Sequence, residues 1–345
     1  MRFEAITIKD IARALNLSVS TVSKALRGSH EISTETRKTV TDYAARHHYR
    51  PNPIAQSLKQ GRSKSIGVVI CNIDNNFFSQ AINGMESVAE KKDYHVIITQ
   101  SRESYESEVK SIRHLSSRSV DGLIVSLSAE TEDIDHLVSI HDKGLPIVFF
   151  DRVAEQVNTH QVTCNNFKGA YEATLHLLSQ GFRRIGHITS PSGLSITQER
   201  LQGYKKALEE KGIPFDEALV HYCQHGGQVP EETEAAVERL LQLPQRPDAL
   251  LTMSDRITTT TLAYLHQLGI RVPDEIALIG FTNAATAGIF NPSLSAVVQP
   301  AFEIGQKAME LLIQLIESKR PVSRFEKMVF DTQLVIRDSS KRKEL

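Results

Sequence analysis

Short apolar runs that alternate with helix-like segments limit most strongly how residues 65–340 can fold. The runs IGVVI, YHVIIT, VDGLIVSL and PIVFF have the length of buried strands, and FFSQAINGMESVAEKK has the spacing of an amphipathic helix. Such alternation is typical of a parallel sheet with helices on both faces. Because the pattern restarts at RRIGHIT and continues through DALLTM and EIALIGF, we expect two doubly wound α/β lobes with a cleft between them.

Length and composition are typical of a soluble globular protein. The 345 residues are enough for two or three domains with buried cores. The apolar runs are much shorter than a membrane span, and the N-terminus lacks the apolar core of a secretory signal. Three widely spaced cysteines, Cys71, Cys164 and Cys223, fit a reducing compartment better than a disulfide framework. These features predict a cytoplasmic protein.

The net charge of −1 conceals a large difference between the first 64 residues and the remainder. Residues 1–64 contain 12 Lys and Arg against 5 Asp and Glu, a net charge of +7, whereas the rest of the chain carries −8. A small basic domain on an acidic body is typical of a protein that binds a polyanion. A solvated basic surface would give the same charge, so charge alone leaves both possibilities open.

The basic segment has the capping pattern of three short helices. We predict helices over residues 8–15, 19–26 and 34–47, with Thr7, Ser18 and Ser33 as their N-caps. The outward positions of the second helix carry hydroxyls and cations, with no Asp or Glu. Two helices joined by a tight turn, the second polar on its outer face, describe a helix-turn-helix whose second helix enters the major groove.

The segment TIKDIARALNLSVSTVSKALRGSHEISTETRKTVTDYAARHHYRPNPIAQSL resembles the DNA-binding domain and hinge of the LacI/GalR family, the lactose-repressor-like transcription regulators. The resemblance rests on T-I-x-D-I-A, then L-S-x-x-T-V-S, then Y-x-P-N-x-x-A, in that order. It covers nearly the whole chain, because the family's core is a two-lobed periplasmic-binding-protein-like fold. It implies a regulator, most simply a repressor, that binds a pseudo-palindromic operator as a homodimer. The tail SSKRKEL lacks the leucine heptads of a tetramerising helix, which also favours a dimer.

The resemblance also implies which residues contact DNA. Val19 and Ser20 match the leading positions of the recognition helix, which choose the operator. Arg27 stands where many members carry Asn. Leu58 matches the hinge leucine that wedges into a minor-groove step and kinks the duplex, with a plain packing residue as the alternative. The full set implied to contact DNA is Thr7, Ile8, Ser18, Val19, Ser20, Thr21, Ser23, Lys24, Arg27, Ser33, Thr36, Asn52 and Leu58.

Proline and glycine after residue 50 separate the basic head from the core. We predict a DNA-binding domain over residues 1–50, a hinge over 51–64 and a core over 65–340. Within the core we assign residues 65–163 and 293–322 to the first lobe, and 164–292 and 323–340 to the second.

Ligands of doubly wound sheets bind beyond the carboxyl ends of the strands, here between the lobes. Phe77 and Phe78 can stack on a sugar or base ring, although one of the two is expected to be a core residue. Arg200 matches a family arginine that holds effector oxygens. The candidate effector-binding residues are Phe77, Phe78, Asp151, Arg152, Arg200, Ser254, Asp255, Phe281, Thr282 and Gln299.

Two departures from the family pattern bear on the effector. Ser254-Asp255 stands where many sugar-responsive members have Asn-Asp, and Thr282 stands where they have Asp. Both changes remove strong partners for sugar hydroxyls. The resemblance implies a sugar or sugar derivative as effector, and the two departures weigh against a simple hexose. The pocket is open to a phosphorylated sugar, a sugar acid or another metabolite.

The sequence favours neither catalysis, nor a cofactor, nor a metal. It contains no Walker loop, no dinucleotide fingerprint and none of the common nucleophile or zinc-protease motifs. His221, Cys223 and His225 are not expected to bind a metal, because Gly226-Gly227 indicates a loop. We therefore expect no enzyme activity. The alternative function is a solute-binding or sensory module whose basic head docks onto a protein partner.

Overall fold

The computed structural model describes residues 6–49, 62–117 and 120–342. The chain divides between Ser63 and Lys64 into two compact units, and each is described by itself. The described residues of the first unit form α1 (Ile8–Ala14), α2 (Val19–Leu26) and α3 (Thr34–Arg46). The three predicted head helices are therefore confirmed, each to within one residue at its ends.

Each head helix begins where a side chain satisfies its free N–H groups, as predicted. Thr7 and Asp10 form a capping box, in which each side chain accepts a hydrogen bond from the other residue's backbone N–H. Ser18 and Ser33 each accept one from the N–H three residues later. The apolar sides of the three helices meet in a core of Ile11, Ala12, Val22, Ala25, Val40 and Ala44.

The first sheet of the second unit is parallel along all its pairings. Its strands are β1 (Ser65–Ile70), β2 (His95–Gln100), β3 (Gly122–Val125), β4 (Ile147–Phe150), β5 (Gln161–Cys164) and β11 (Lys327–Phe330). Their order is β11-β5-β4-β3-β1-β2. Helices α4 (Asn76–Lys91) and α11 (Ala301–Glu317) cover one face, and α5 (Tyr105–Ser117) and α6 (Asp135–Asp142) cover the other.

The second sheet repeats this arrangement. Its strands are β6 (Ile185–Thr189), β7 (Val220–Tyr222), β8 (Ala249–Thr252), β9 (Ala277–Phe281), β10 (Ser295–Val298) and β12 (Gln333–Val335). Their order is β12-β10-β9-β8-β6-β7, and β12 runs antiparallel to β10. Helices α7 (Asn166–Ser179) and α8 (Ser195–Glu210) cover one face, and α9 (Pro230–Leu241) and α10 (Asp255–Gln267) cover the other. The two predicted α/β lobes are thus confirmed.

The predicted lobe boundaries are wrong at the two late crossings. Strand β10, within the segment assigned to the first lobe, pairs with β9 in the second sheet. Strand β11, assigned to the second lobe, pairs with β5 in the first sheet. In the described chain the backbone passes between lobes after β5, after β10 and after β11. The few apolar residues of β10 and β11 do not indicate which sheet these strands join, because their pairing depends on segments distant in sequence.

The helices that cover one face of each sheet approach so closely that a side chain does not fit between them. A Cβ on Gly305 of α11 would lie 1.9 Å from the carbonyl oxygen of Ala81 in α4. A Cβ on Gly84 of α4 would lie 2.0 Å from the carbonyl oxygen of Phe302. Gly203 makes the same kind of approach between α8 and α7. Because the obstructing atoms belong to the backbone, these glycines set the spacing of the helices.

Candidate functional site

The N-terminus of α2 presents the residues predicted to read DNA. Ser18, Val19 and Ser20 are exposed there, Val19 to 42 %. The Thr21 N–H donates to Ser18 Oγ at 3.0 Å, and the two hydroxyl oxygens lie 2.8 Å apart. Hydroxyls and N–H groups at a helix N-terminus are suited to phosphate and base-edge contacts.

The cationic side chains at the other end of α2 have partners within the head. The Lys24 ammonium forms an ion pair with Glu31, and Arg27 Nε donates to the carbonyl oxygen of Ser23 at 3.0 Å. The sequence places no carboxylate on the outer face of α2 itself. The structure brings one beside it, because the loop that follows Gly28 returns past Lys24.

The other DNA-contact predictions fall into two groups. Thr7 and Ser33 cap α1 and α3, Ile8 is half-buried beside the first cap, and the Ser33 hydroxyl donates to Thr36 Oγ1 at 2.9 Å. These residues therefore lie at helix N-termini, like Ser18. Asn52 and Leu58 lie outside the described residues, so the predictions for the hinge stay predictions.

All ten residues predicted to bind the effector line one cavity at the carboxyl ends of the two sheets. Its wall is completed by Asn75, Ser190, Ile196 and Asn283. The cavity volume is about 40 Å³, which suffices for a water molecule but is roughly a tenth of a usual small-molecule site. A larger ligand therefore requires the lobes or the lining side chains to move.

Three phenylalanines supply the apolar part of the wall. Phe77 and Phe78 follow β1, and their rings meet edge to face with centroids 5.3 Å apart. Both line the cavity and both belong to the buried core of the first lobe. A ring-stacking role and a core role are thus compatible for each of them. Phe281, at the end of β9, lies under the Arg200 guanidinium, whose carbon is 4.2 Å from the ring centroid.

Arg200, on α8, is buried and partly hydrogen-bonded. Its Nε donates to Asn166 Oδ1 at 2.8 Å, and its Nη1 donates to the carbonyl oxygen of Met253 at 2.5 Å. Burial lowers the pKa of the guanidinium. Within the described residues nothing accepts a hydrogen bond from Nη2, so this nitrogen remains available to a ligand.

Asp151, directly after β4, presents a carboxylate at the cavity wall. Its φ of 59° lies in the left-handed region, which is uncommon for a residue with a side chain. Burial raises the pKa of the carboxyl group, and the charges of Arg152 and Arg200 oppose that shift. No described residue donates a hydrogen bond to this carboxylate. Asp151 is therefore suited to accept one from a ligand hydroxyl.

Arg152 forms a buried ion pair that the sequence did not predict. Its Nη1 donates to Glu103 Oε2 at 2.5 Å and its Nη2 donates to Glu103 Oε1 at 3.0 Å. The Ala129 N–H also donates to Glu103 Oε2, at 2.9 Å. Both charged side chains are less than 10 % exposed. Glu103 lies in the loop after β2, where no motif marks it, so only the fold reveals this partner.

Asp255 connects the lobes, and Thr282 holds its carboxylate. The Thr282 hydroxyl donates to Asp255 Oδ1, within the second lobe. Asp255 Oδ2 accepts hydrogen bonds from the backbone N–H and the side-chain amide of Asn76, at 3.2 and 2.8 Å, across the cleft. Ser254 caps α10 by accepting from the N–H of Ile257. These three predicted residues are thus already engaged in the closed arrangement.

Further side-chain contacts close the cleft beside Asn76. In the described chain they join Asn72 to Gln228, Asp74 to Arg256 and Gln80 to Asn283, at 3.0, 2.7 and 2.8 Å. The first member of each pair lies in the first turns of α4 or the loop before it. One short segment of the first lobe therefore makes these contacts with the second. Gln299, at the crossover after β10, donates its backbone N–H to Asn283 Oδ1 at 3.0 Å.

A larger chamber adjoins the small cavity on the other side of Arg152, which lines both. Its volume is about 770 Å³, and both lobes contribute to its wall. Polar side chains predominate there, among them Arg102, Glu130, Gln224 and His225. Its size is that of an ordinary small-molecule site.

The described residues contain no group of His, Cys, Asp and Glu arranged to hold a metal ion. His225 Nδ1 lies 2.7 Å from Glu232 Oε1, and Cys223 is buried. His221 belongs to β7, so the segment is a short strand followed by a loop. None of the helices in the described ranges has the length and apolar character needed to cross a membrane.

Two family profiles match the chain. The profile of bacterial regulatory proteins of the lacI family matches residues 7–52, and that of the periplasmic binding protein-like domain matches residues 174–340. The ribose operon repressor of Haemophilus influenzae is 32% identical over 336 residues, covering 96% of this chain and 98% of that protein. The transcriptional repressor PurR of Vibrio atlanticus is 30% identical over 339 residues, covering 98% and 99%.

Solved structures show the same architecture. The transcriptional regulator CelR in complex with cellobiose has 25% sequence identity and a TM-score of 0.71, covering 97% of this chain and 99% of that chain. The lac repressor dimer bound to operator has a TM-score of 0.82 over 98% of this chain and 100% of that chain, at 22% identity, a likeness of fold. A helix-turn-helix head joined to a two-lobed binding core defines a DNA-binding transcription regulator with a ligand cleft. The chain belongs to the lacI family of bacterial regulatory proteins, which confirms the resemblance seen in its motifs.

Proposed function

We propose that this protein is a homodimeric repressor, not an enzyme, that acts on DNA in the cytoplasm. A small neutral polyhydroxylated metabolite, such as a sugar, switches its affinity for a pseudo-palindromic operator. The observation that carries the proposal is that all ten predicted effector-binding residues line one interlobe cavity. The relatives support it, since they include a ribose operon repressor, a regulator in complex with cellobiose and a repressor dimer on its operator.

The charges around the cavity favour a neutral ligand over a phosphorylated or acidic one. Arg152 is already neutralised by Glu103, and Arg200 lies close enough to Asp151 to affect its pKa. Asp255 adds a further carboxylate to the wall. The carboxylates of Glu103, Asp151 and Asp255 therefore outnumber the two arginines, which leaves no excess positive charge to hold a phosphate. A hydroxyl-rich ligand can instead use Asp151 as acceptor and Arg200 Nη2 as donor.

The closed cleft supplies the switch. A sugar-sized ligand does not fit a cavity of about 40 Å³, so it binds only when the contacts around Asn76 have opened or rearranged. A ligand that binds one arrangement better shifts the population toward it. Strand β1 follows the hinge directly along the chain. A rotation of the first lobes in a dimer therefore changes the distance between the two DNA-binding domains and their orientation.

Selection of sheared genomic DNA tests the proposal. We expect the purified protein at near-physiological salt to enrich a palindrome, and neutral cell metabolites to change its recovery. The genes beside the enriched site would narrow the effector to a pathway. If no sequence is enriched with or without metabolites, the proposed function is wrong.

Arg200→Ala is expected to keep operator binding and to weaken the response to the effector about 10- to 100-fold. Hydrogen bonds from a charged group contribute about 1.5–3 kcal/mol each, and Arg200 Nη2 is a cavity donor that no described residue engages. The measurement is the effector concentration that half-releases, or half-promotes, operator binding. Lys206→Ala is the matched control, because Lys206 lies on the same helix, is exposed and pairs with Glu209. An unchanged response in Arg200→Ala would place the effector elsewhere.

Leu58→Ala is expected to weaken binding to the selected operator roughly tenfold, with a smaller effect on unrelated DNA. A wedge that unstacks a central step stabilises only a duplex that bends there, and unstacking involves a few kcal/mol. Titration of both duplexes gives the comparison. Equal losses on both would show that Leu58 is a packing residue instead.

The +7 head is also compatible with a sensory module that docks onto a protein. Ionic strength separates the two functions. Binding through phosphate contacts loses affinity steeply and linearly with the logarithm of the salt concentration. A protein that binds DNA with no salt dependence, or does not bind it, would favour the docking module.

A further inference from the structure

The ion pair between Lys24 and Glu31 stands where the head is expected to meet DNA. Lys24 lies on α2 with its side chain 40% exposed, and Glu31 lies in the following loop with its side chain 53% exposed. A duplex is a dense polyanion, so a carboxylate at this place opposes contact with phosphate. General DNA binding therefore does not account for Glu31.

Glu31 is presented to Lys24 by an ordered loop. The Ser29 N–H donates to the carbonyl oxygen of Lys24 at 3.1 Å, and the Glu31 N–H donates to Ser29 Oγ at 3.3 Å. Arg37 Nη2, from α3, donates to the carbonyl oxygens of Ser29 and Ile32 at 3.1 and 3.3 Å. The loop is thus bonded to both helices that flank it.

The pair favours the ionised form of the Glu31 carboxyl. The hydrogen bond from Lys24 lowers the pKa of the Glu31 carboxyl. At neutral pH the carboxylate therefore cancels one of the cations of the recognition helix. The remaining polar groups at its N-terminus, Ser18, Ser20 and Thr21, are uncharged, so they favour hydrogen bonds of defined geometry over general attraction to phosphate.

We propose that Glu31 is a specificity-determining residue, which withholds Lys24 from non-specific DNA and so raises the ratio of operator to non-specific affinity. This rests on the proposed function as a DNA-binding repressor. On unrelated DNA, breaking the pair gains one phosphate contact at the cost of bringing a carboxylate to the backbone. On the operator, the base contacts of the N-terminal part of α2 compensate for that cost.

The expected effect follows from counterion release. One phosphate contact steepens the slope of log affinity against log salt by about 0.9. Relative to 1 M salt, it therefore raises the affinity about eightfold at 0.1 M salt. We expect Glu31→Gln to strengthen binding to unrelated DNA about three- to tenfold, and to steepen the salt slope by about 0.9. Operator affinity is expected to rise less, so that the specificity ratio falls.

The experiment measures binding of the full chain to a labelled duplex of random sequence between 50 and 200 mM KCl. It compares the wild type with Glu31→Gln, Lys24→Gln and the double variant. Lys24→Gln alone is expected to weaken binding to unrelated DNA, because Glu31 is left without its counter-charge. The double variant is expected to bind no more tightly than the wild type, because it has no ammonium to release. Glu35→Gln is the matched control, because Glu35 is exposed in the first turn of α3 and its substitution removes the same charge.

A gain that requires both Glu31→Gln and Lys24, and exceeds the gain in Glu35→Gln, supports the inference. Equal gains in affinity for Glu31→Gln and Glu35→Gln, or a gain that does not require Lys24, overturn the inference. Binding of DNA by the wild type would in that case still support the proposed function. Failure of the wild type to bind either duplex would overturn the proposed function itself. Unchanged thermal unfolding of each variant verifies that the head is folded.

Discussion

Arg152→Met is expected to lower the free energy of unfolding of the core by about 3–5 kcal/mol. Methionine retains much of the length of the side chain but removes the charge that faces Glu103. The carboxylate of Glu103 would then be buried with the single hydrogen bond from Ala129 described above. A buried charge without a counter-charge costs far more than the pair contributed. Urea unfolding followed by circular dichroism measures the loss.

Two controls separate this effect from ordinary loss of packing. The double variant Glu103→Gln with Arg152→Met is expected to recover part of the stability, because Glu103 no longer leaves a buried charge, whereas Asp151 still loses the Arg152 charge 4.0 Å away. Lys327→Met breaks an ion pair with Glu155 in which both side chains are about 60% exposed, and is expected to have little effect. If the double variant is no more stable than Arg152→Met, the buried charge is not the cause.

Gly305→Ala is expected to destabilise the core by about 3 kcal/mol. Helix propensity alone would make the alanine variant more stable by up to about 1 kcal/mol. A decrease in the free energy of unfolding must therefore come from packing. The added methyl group would lie 1.9 Å from the carbonyl oxygen of Ala81, and the two helices would have to separate. Helix α4 begins at the cleft with Asn76, so the response to effector should change as well. The same urea unfolding measures the first effect.

Gly193→Ala provides the matched control for this substitution. A Cβ on Gly193 meets no atom within 4 Å, and its φ is outside the left-handed region. Its stability is expected to remain close to that of the wild type. Equal losses in the two variants would show that the close approach of α4 and α11 does not explain the glycine at position 305.

The elements that could be predicted are those whose own sequence carries an apolar run or a helical period. Seven strands, including β1, β4 and β9, coincide with apolar runs visible in the sequence. The strands β5, β7, β10, β11 and β12 could not be predicted, since their few apolar residues do not stand out from the surrounding loop sequence and their pairing depends on distant segments. The lobe boundaries were wrong for this reason.

The candidate site shows the same division. Asp151, Ser254 and Phe281 were predicted because they follow strands whose carboxyl ends must meet at one edge. Glu103 and Asn76 were not, because their importance comes from contacts with residues about 50 and 180 positions away. Glu31 was missed on a smaller scale, since helical periodicity does not show where a loop returns. The residue roles in binding DNA and effector stay predictions until the proposed experiments are done.

The late return of the chain to the first lobe has a consequence for synthesis on the ribosome. Strands β1 to β5 emerge by residue 164, but α11, which covers the face containing Ile124, Val148 and Phe150, ends at Glu317. At bacterial translation rates the interval is roughly 10–30 s. During that time this apolar face is without its final cover. The nascent chain is therefore open to chaperones and to aggregation until the second lobe has almost been completed, and the folding yield depends on the speed of translation.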